Sequence, residues 1–412
     1  MKLRLIFFCV SIFLLRGVSV YAQNFWEQTN GPYDALNSYV TNYIALIVDS
    51  SGNVSAGTQS GIYLTTDNGN TWTSSYGRGF GYSFAISRNG NIYAGISDGP
   101  FQGGVLRSTN NGRNWVNITT ILDHVYAIAI NSSGHLFAGV EQGAFRSTDD
   151  GATWTKIFPG PNDTAVLKIC VGQNGYIYLS SNGISRIYRS SDNGNSWTGL
   201  SKGLGNYRIR AIVNGESGKL FAAGDSVYRS IDDGDSWTTV NPPVKNLSIY
   251  TLSVNPKGYM FLGTDKGVFL SIDNGDNWQQ INSGLTDISQ IEAIACGRNG
   301  YVYASTLNYG VFRSIKSTTG VKQFVKNKIE FSNYPNPSFL STKIILSLPE
   351  REFISLKVFD AIGKEIAVLS NDYLDSGNYE LLFNSYGLPN GTYFIRLQSQ
   401  GFSQIKELIL LH

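Results

Sequence analysis

The seven tryptophans of this 412-residue chain all fall at one position of a single repeat. The segment Thr65-Thr66-Asp67-Asn68-Gly69-Asn70-Thr71-Trp72 recurs five more times, in copies ending at Trp115, Trp154, Trp197, Trp237 and Trp278. Successive copies stand 43, 39, 43, 40 and 41 residues apart, and Trp26 precedes the first by 46. A period of ~40 residues is one supersecondary unit, too small to bury its own core, so the units must stack on one another.

Two further landmarks count the same units. A turn glycine precedes an apolar strand at Gly52, Gly90, Gly134, Gly175, Gly218, Gly258 and Gly300. Strands resembling Val105-Leu106-Arg107-Ser108 begin at Ile62, Val105, Ala144, Ile187, Val227, Val268 and Val311. Each unit therefore reads as four short strands: A (Ala127-Ile128-Ala129-Ile130), B (His135 to Gly139), C (Ala144 to Ser147) and D, which opens on the tryptophan. Four strands per unit of this length predict a blade of a β-propeller. The seventh unit stops at Arg313-Ser314-Ile315 with no Asp-x-Gly turn, while Phe25-Trp26-Glu27 supplies a strand D with no unit of its own. The N-terminal strand is thus expected to complete the last blade and remove its open edge. Composition agrees: glycine is 45 of 412 residues, about 11%, and charged residues are 15%, against usual values of ~7% and ~25%. Short strands joined by tight turns account for both.

The octapeptide resembles the Asp-box, or bacterial neuraminidase repeat. Its Asp can accept hydrogen bonds from turn N–H groups, its Gly takes a positive φ, and its Trp packs into the sheet interface. Asp67, Asp149, Asp192, Asp232 and Asp273, with Asn110 in the second copy, are therefore read as structural rather than catalytic, since near-identical acids spread around a ring cannot share one active site. As a whole the repeats look most like the photosystem II assembly-factor and sortilin-type propellers, which scaffold or bind.

Candidate binding residues lie on the face opposite these turns, where variable loops meet a rigid scaffold. Tyr82, Tyr126, Arg210, Tyr250 and Glu292 stand eight residues before their turn glycines, and Tyr43, at nine, is grouped with them. The loops between strands B and C add Asp98, Glu141, Asp225 and Asp265. A ring of tyrosines with a few acids suits a carbohydrate or peptide ligand; tyrosines packed between narrow blade ends and solvated loop acids are the plainer alternative. A sialidase would need an arginine cluster and a Tyr–Glu pair, and the early Arg-Ile-Pro of that family is absent. A xyloglucanase-type hydrolase would need paired carboxylates; Asp98 and Glu141, on adjacent blades, are the nearest to such a pair. His124, His135 and His412 are isolated, and no phosphate loop or nucleophile elbow occurs. No catalytic residue, metal or cofactor is assigned. The expected function is non-catalytic binding of a glycan, peptide or protein; the alternative is an extracellular glycoside hydrolase.

The ends of the chain address it. Lys2 and Arg4 precede an apolar run from Leu5 to Leu15, and Val20-Tyr21-Ala22 offers a small-x-small cleavage site. This predicts a secretory signal peptide over residues 1–22 and no transmembrane helix. Its removal leaves 29 basic against 30 acidic residues, which gives no support to nucleic-acid binding. Cys170 and Cys296 remain and are expected as buried apolar residues rather than a disulfide. Residues 23–315 are assigned to the propeller, and the lysine-rich stretch 316–328 to a linker.

Residues 329–412 lack tryptophan and alternate in about seven short strands, which predicts a small immunoglobulin-like β-sandwich. This segment resembles the type A C-terminal sorting domain of the type IX secretion system. The matching residues are Tyr334-Pro335-Asn336-Pro337, Leu348-Pro349, Val358 to Glu365 with its turn at Gly363, Ser376-Gly377, Leu388-Pro389-Asn390-Gly391-Thr392-Tyr393 and Lys406. Pro335 and Pro337 are expected to hold an extended entry, Asn390-Gly391 a hairpin, and Gly363 a turn after a strand. The resemblance implies recognition at the outer membrane and removal by a sortase-like peptidase. The whole reading is a monomeric, all-β exported protein, released or held at the cell surface, with an unnamed extracellular ligand.

Overall fold

The computed structural model describes residues 24–33, 43–99, 103–119, 123–158, 165–182, 187–205, 208–240, 247–286, 290–318, 330–348, 351–375, 377–399 and 402–411. The proposed signal peptide lies outside them. The chain divides into two compact units, one spanning residues 24–319 and the other containing residues 320–412.

The first unit is built of seven four-stranded antiparallel sheets. Blade 3 is typical, with strands A Val125–Ile130, B Leu136–Val140, C Gly143–Ser147 and D Thr155–Phe158. The seventh sheet joins Ile291–Cys296, Val302–Thr306 and Gly310–Ser314 to the N-terminal Trp26–Gln28. Trp26 pairs with Ser314 and Gln28 with Phe312, so the ring closes as the orphan strand D requires.

The hydrophobic core lies between the blades. One cluster joins Tyr93 and Val105 of blade 2 to Val125, Leu136 and Trp154 of blade 3; another joins Tyr178 and Ile187 of blade 4 to Leu220 and Trp237 of blade 5. Trp72, Trp115, Trp197 and Trp278 take the matching place in the other interfaces. Strand B is buried along its whole length in all seven blades, as expected of a strand covered on both faces.

The octapeptide turns share one local chemistry. In blade 3, Ser147 Oγ donates to Asp149 Oδ1 at 2.7 Å and accepts from the Gly151 N–H at 2.8 Å. Asp149 in turn accepts from the Thr153 N–H at 2.8 Å and the Thr153 hydroxyl at 2.6 Å. Asn110 keeps the backbone part of this arrangement, accepting from the Asn114 N–H at 2.9 Å. The turn also needs φ of +61° at Asp150 and +91° at Gly151; Asn or Asp is among the few residues with a side chain that tolerate the first of these. The glycine was legible in the sequence, the residue before it was not.

The seventh blade has no such turn. Its place is taken by Lys316 to Thr318: Ser314 Oγ donates to the Lys316 carbonyl at 3.0 Å, the Thr318 N–H to Gly300 O at 2.6 Å, and Asn255 Nδ2 to Thr318 Oγ1 at 3.2 Å. Thr318 is fully buried. The linker expected from residue 316 is therefore corrected at its start, because the first three residues fill the gap left by the missing turn.

The second unit is a sandwich of two sheets. One orders Glu330–Tyr334, Ser341–Leu348 and Gly377–Asn384; the other orders Glu365–Leu374, Glu352–Asp360, Gly391–Ser399 and Phe402–Leu410. Ile344, Leu346, Ile354, Leu356, Ile395 and Leu408 form its core. Gly363, at φ +83°, makes the expected hairpin turn between Glu352–Asp360 and Glu365–Leu374. Two expectations are corrected. Asn390-Gly391 is not a hairpin, because the strands on either side of it belong to different sheets; it ends a crossing of the sandwich. Pro335 and Pro337 stand in bends with cis peptide bonds rather than in an extended entry. The bends place Asn336 against the last strand, where its Nδ2 donates to Glu407 O and its Oδ1 accepts from the Ile409 N–H, both at 2.8 Å. Tyr393 donates to the Pro389 carbonyl at 3.0 Å, and Lys406 lies 5.9 Å from the centre of the Phe331 ring. The motif residues thus brace this domain.

Candidate functional site

Antiparallel order puts the octapeptide turns and the A–B turns on one face of the propeller, and the starts of the innermost A strands on the other. There the A strands share an irregularity. In blade 3 the pairing jumps from Val125↔Val140 to Ala127↔Gly139, leaving Tyr126 as an extra residue. The same jump isolates Tyr82, Leu167, Tyr250 and Glu292 in blades 2, 4, 6 and 7. A bulge bends its strand and re-aims the extra side chain. Val125, Ile249 and Ile291, just before the bulge, are buried, while Tyr126, Tyr250 and Glu292 are half-exposed. Arg210 takes the corresponding place in blade 5, its N–H donating to Ala223 O at 2.7 Å beside the Ala211↔Ala223 pair.

Tyr43 is corrected here. Blade 1 jumps from Tyr43↔Thr58 to Ala45↔Gly57, so Ile44 is the extra residue and Tyr43 aligns with Val125. Its spacing of nine from the turn glycine was the signal.

Strand B glycines let these bulges gather tightly. A Cβ on Gly139 would stand 2.6 Å from the Val166 carbonyl at the bulge of blade 4, and one on Gly95 2.7 Å from that of Val125. Real Cβ atoms do not approach so closely, so the short side chain is required for neighbouring blades to meet here.

The mouth so formed has two unlike sectors. Across blades 2 and 3 runs a ladder of rings: Phe80 stacks on Tyr82 at 5.8 Å, Tyr82 meets Tyr126 edge-on at 5.2 Å, and the His124 ring lies 6.1 Å from Tyr126. The Tyr126 hydroxyl donates to Glu141 Oε2 at 2.9 Å. Burial, then this carboxylate, pushes the Tyr126 phenol well above its ordinary pKa, so it stays a neutral donor. His124 also bonds Ser97 through Nδ1. Across blades 4 to 6 lie Lys168, Arg208 and Arg210, the last with its guanidinium 5.4 Å from the centre of the Tyr250 ring. Lys168 and Arg208 were not singled out from sequence, since nothing in a single repeat marks them.

The loop acids are mostly engaged. Asp98 pairs with Arg78 at 3.1 Å, Asp225 accepts from the Tyr228 hydroxyl at 2.8 Å, and Asp265 from the Ser248 N–H at 3.1 Å. Burial raises the pKa of Glu292, against the pull of Gln290 and Arg210. Among the described residues no three His, Cys, Asp or Glu gather as metal ligands, and no helix is long and apolar enough to cross a membrane. Cys170 and Cys296 are free thiols. They are half-buried rather than enclosed, lying on A strands beside the channel, yet burial pushes each pKa up to about 12. Ring position explains their separation: Cys170 lies on the A strand of blade 4 and Cys296 on that of blade 7, and these blades do not adjoin.

Comparison with known proteins agrees with both units. Residues 158–293 match the DUF6242 beta propeller domain, and residues 332–411 match the secretion system C-terminal sorting domain. The second match identifies a cargo of type IX secretion, sent to the cell surface or released. No curated protein sequence matches. Among solved structures, the chain is similar to PorZ, a surface component of the type IX secretion system of Porphyromonas gingivalis, with 15% identity over 90% of this chain and a TM-score of 0.53. It spans about 60% of the PorZ chain. YCF48 bound to D1 peptide aligns over 71% of this chain and 96% of its own, at 16% identity and a TM-score of 0.57. A GH74 xyloglucanase from Xanthomonas campestris aligns over 78% and 59%, at 14% identity and a TM-score of 0.57. At these identities the likeness is one of fold.

Proposed function

We propose that this chain is an exported saccharide-binding propeller, displayed at or released from the cell surface, with its ligand held at the mouth of the central channel. The observation that carries this reading is the ladder of Phe80, Tyr82 and Tyr126 beside Glu141. Half-exposed rings present apolar faces to the CH faces of a sugar, while phenol and carboxylate remain available to its hydroxyls. Tyr82 and Tyr126 stand on bulges of a closed ring of sheets, so little conformational freedom is lost on binding. Residues 1–22 serve as the signal peptide, the octapeptides are Asp-box repeats, and the C-terminal domain is the substrate of a sortase-like peptidase at the outer membrane. Both ends of the propeller, at Asn24 and Thr318, lie on the face of the octapeptide turns.

A glycan array run beside a broad glycosidase screen tests the proposal. Binding lost on Tyr82→Ala without turnover supports it. Turnover of any glycan supports a hydrolase instead, and the absence of both signals rejects the mouth as a saccharide site.

A further inference from the structure

The register of the A strands shows where charge has been placed against the grain of the fold. The residue just after the bulge pairs with a small residue of strand B in every blade. It is Ala45, Ser83, Ala127, Ala211, Thr251 and Ala293 in six of them. In blade 4 it is Lys168, opposite Ser180. A repeat that otherwise demands a small side chain here has accepted a long cation, half-buried beside the channel.

Lys168 is not compensated. Among the described residues it has neither an ion pair nor a hydrogen bond. Ser180, which pairs with Lys168, donates from Oγ to the carbonyl oxygen of Ile209 at 3.3 Å, so the strand that carries Arg208 and Arg210 on either side of Ile209 lies against it. Burial, then these two cationic neighbours, holds the Lys168 ammonium below the ordinary lysine pKa. Neither arginine forms an ion pair among the described residues, and Glu292 acts on Arg210 only at a distance. Buried charges are ordinarily paired, and three cations gathered without an anion repel one another. Such an arrangement is stable in the absence of ligand only at a cost, which an incoming anion removes.

Resting on the saccharide reading above, we infer that Lys168, Arg208 and Arg210 form an acid-selecting subsite, and that the ligand of this propeller is a uronate-bearing saccharide. The two sectors adjoin, since Tyr126 belongs to blade 3 and Lys168 to blade 4. A sugar ring lying on Tyr82 and Tyr126 can direct a carboxylate toward the ammonium of Lys168. Arg210, steadied against the Tyr250 ring, offers a planar fork suited to bidentate hydrogen bonding of the same group. A neutral sugar would satisfy the rings and leave the cations unpaired, so the selectivity comes from differential desolvation rather than from shape.

Titration calorimetry on the full-length chain tests this with four probes: an oligogalacturonide, its carboxyl-reduced neutral counterpart, a sulfated oligosaccharide of the same length and a short polyglutamate peptide. The expected result is preference for the oligogalacturonide over the reduced form by roughly tenfold or more, the worth of one charge-assisted hydrogen bond. Lys168→Met and Arg210→Gln should each collapse that ratio. Arg210 is exposed, so its variant keeps the test valid should Lys168→Met fail to fold. Equal binding of acidic and neutral oligomers, or an unchanged ratio in a folded variant, overturns the acid subsite and leaves the saccharide reading standing. Preference for the sulfated oligomer or the peptide overturns the uronate assignment. Binding of no saccharide overturns both.

Discussion

Arg313, on the last strand of the ring, donates from Nη1 to the carbonyl oxygen of Asn68 in the first blade at 3.0 Å. Its Nε donates to Glu27 Oε1 on the closing strand at 2.9 Å. One guanidinium thus ties the last blade, the N-terminal strand and the first blade together. The link recurs around the ring: Arg146 donates to Asn193 O at 2.6 Å, Arg189 to Asp233 O at 2.8 Å and Arg229 to Asn274 O at 3.3 Å. In each case the acceptor is the octapeptide residue with positive φ. In blade 6 the same strand position is Leu270, and the neighbouring seventh blade has no octapeptide turn to receive an arginine.

Arg313→Ala should lower stability by about 1.5–3 kcal/mol, the range for hydrogen bonds to charged groups. Arg313→Lys should restore little of this, since a single compact ammonium lacks the planar fork whose separate nitrogens reach Glu27 and Asn68 at once. Urea unfolding reads the effect; a midpoint unchanged by the alanine variant would remove the clasp from the account of ring closure.

Trp26 is 1% exposed, and its indole N–H donates to Ile281 O at 2.5 Å. Trp26→Ala should therefore cost about 3–5 kcal/mol and loosen the closing strand before the rest. Trp154, half-buried with its N–H on Gly151 O, should lie at or below the lower end of that range. Hydrogen exchange at residues 310–314 locates the first loss; uniform loosening across all blades would argue against a seam.

Acid should weaken the propeller in a defined window. Hydrogen bonds from the side chain and backbone of Thr153, then from Ser147, hold the Asp149 carboxyl at about 2, and those from Ser196 and Ser190 do the same for Asp192. Unfolded, each titrates near ~3.9. At intermediate pH the unfolded chain binds more protons than the folded one, so this stabilisation is complete above about pH 4 and is lost as pH falls toward 2. Asp149→Asn, imitating Asn110, should fold and flatten that blade's share of the slope in thermal melts taken from pH 5 to 2. A steeper slope in the variant would contradict the assignment.

Burial pushes the thiols of Cys170 and Cys296 up to about 12. The thiolate is the reactive form, so neither should be labelled by iodoacetamide at pH 8 in the native protein, and both should be labelled after unfolding in urea. Mass spectrometry of labelled peptides decides; rapid native labelling of either would mean the thiol opens freely to the channel.

Removing residues 320–412 should leave a folded propeller that stays inside a type IX-competent cell. Ending the chain at Arg313 instead should destabilise it, because Thr318 and its bonds to Gly300 and Asn255 are lost. Surface exposure of the first truncation would remove the role of the C-terminal domain in export.

The architecture was legible because a ring of like blades imposes one residue type on one position many times. A box glycine, a strand B glycine or an interface tryptophan answers a local constraint that every blade repeats. The mouth was only partly legible. Tyr82, Tyr126, Arg210, Tyr250 and Glu292 could be aligned by their distance of eight residues from a turn glycine; in blade 1 that distance marks Ile44, as the backbone pairing does, and grouping Tyr43 with them at nine departed from the rule. Lys168 left no sequence signal, because its meaning comes from the small residues at the same register in other blades and from arginines of a different blade. The pairing of Asn336 with the final strand likewise joins residues about seventy apart.

Sequence alone determined the number of blades, the closing of the ring by the N-terminal strand and the presence of a sorting domain, since each follows from local patterns repeated or matched in order. Tertiary structure alone decided which side chains share the mouth, where the linker leaves the propeller and how the sandwich strands pair. Those outcomes depend on the register between strands distant in sequence, and a single misplaced residue in a pairing changes which side chain the sheet presents.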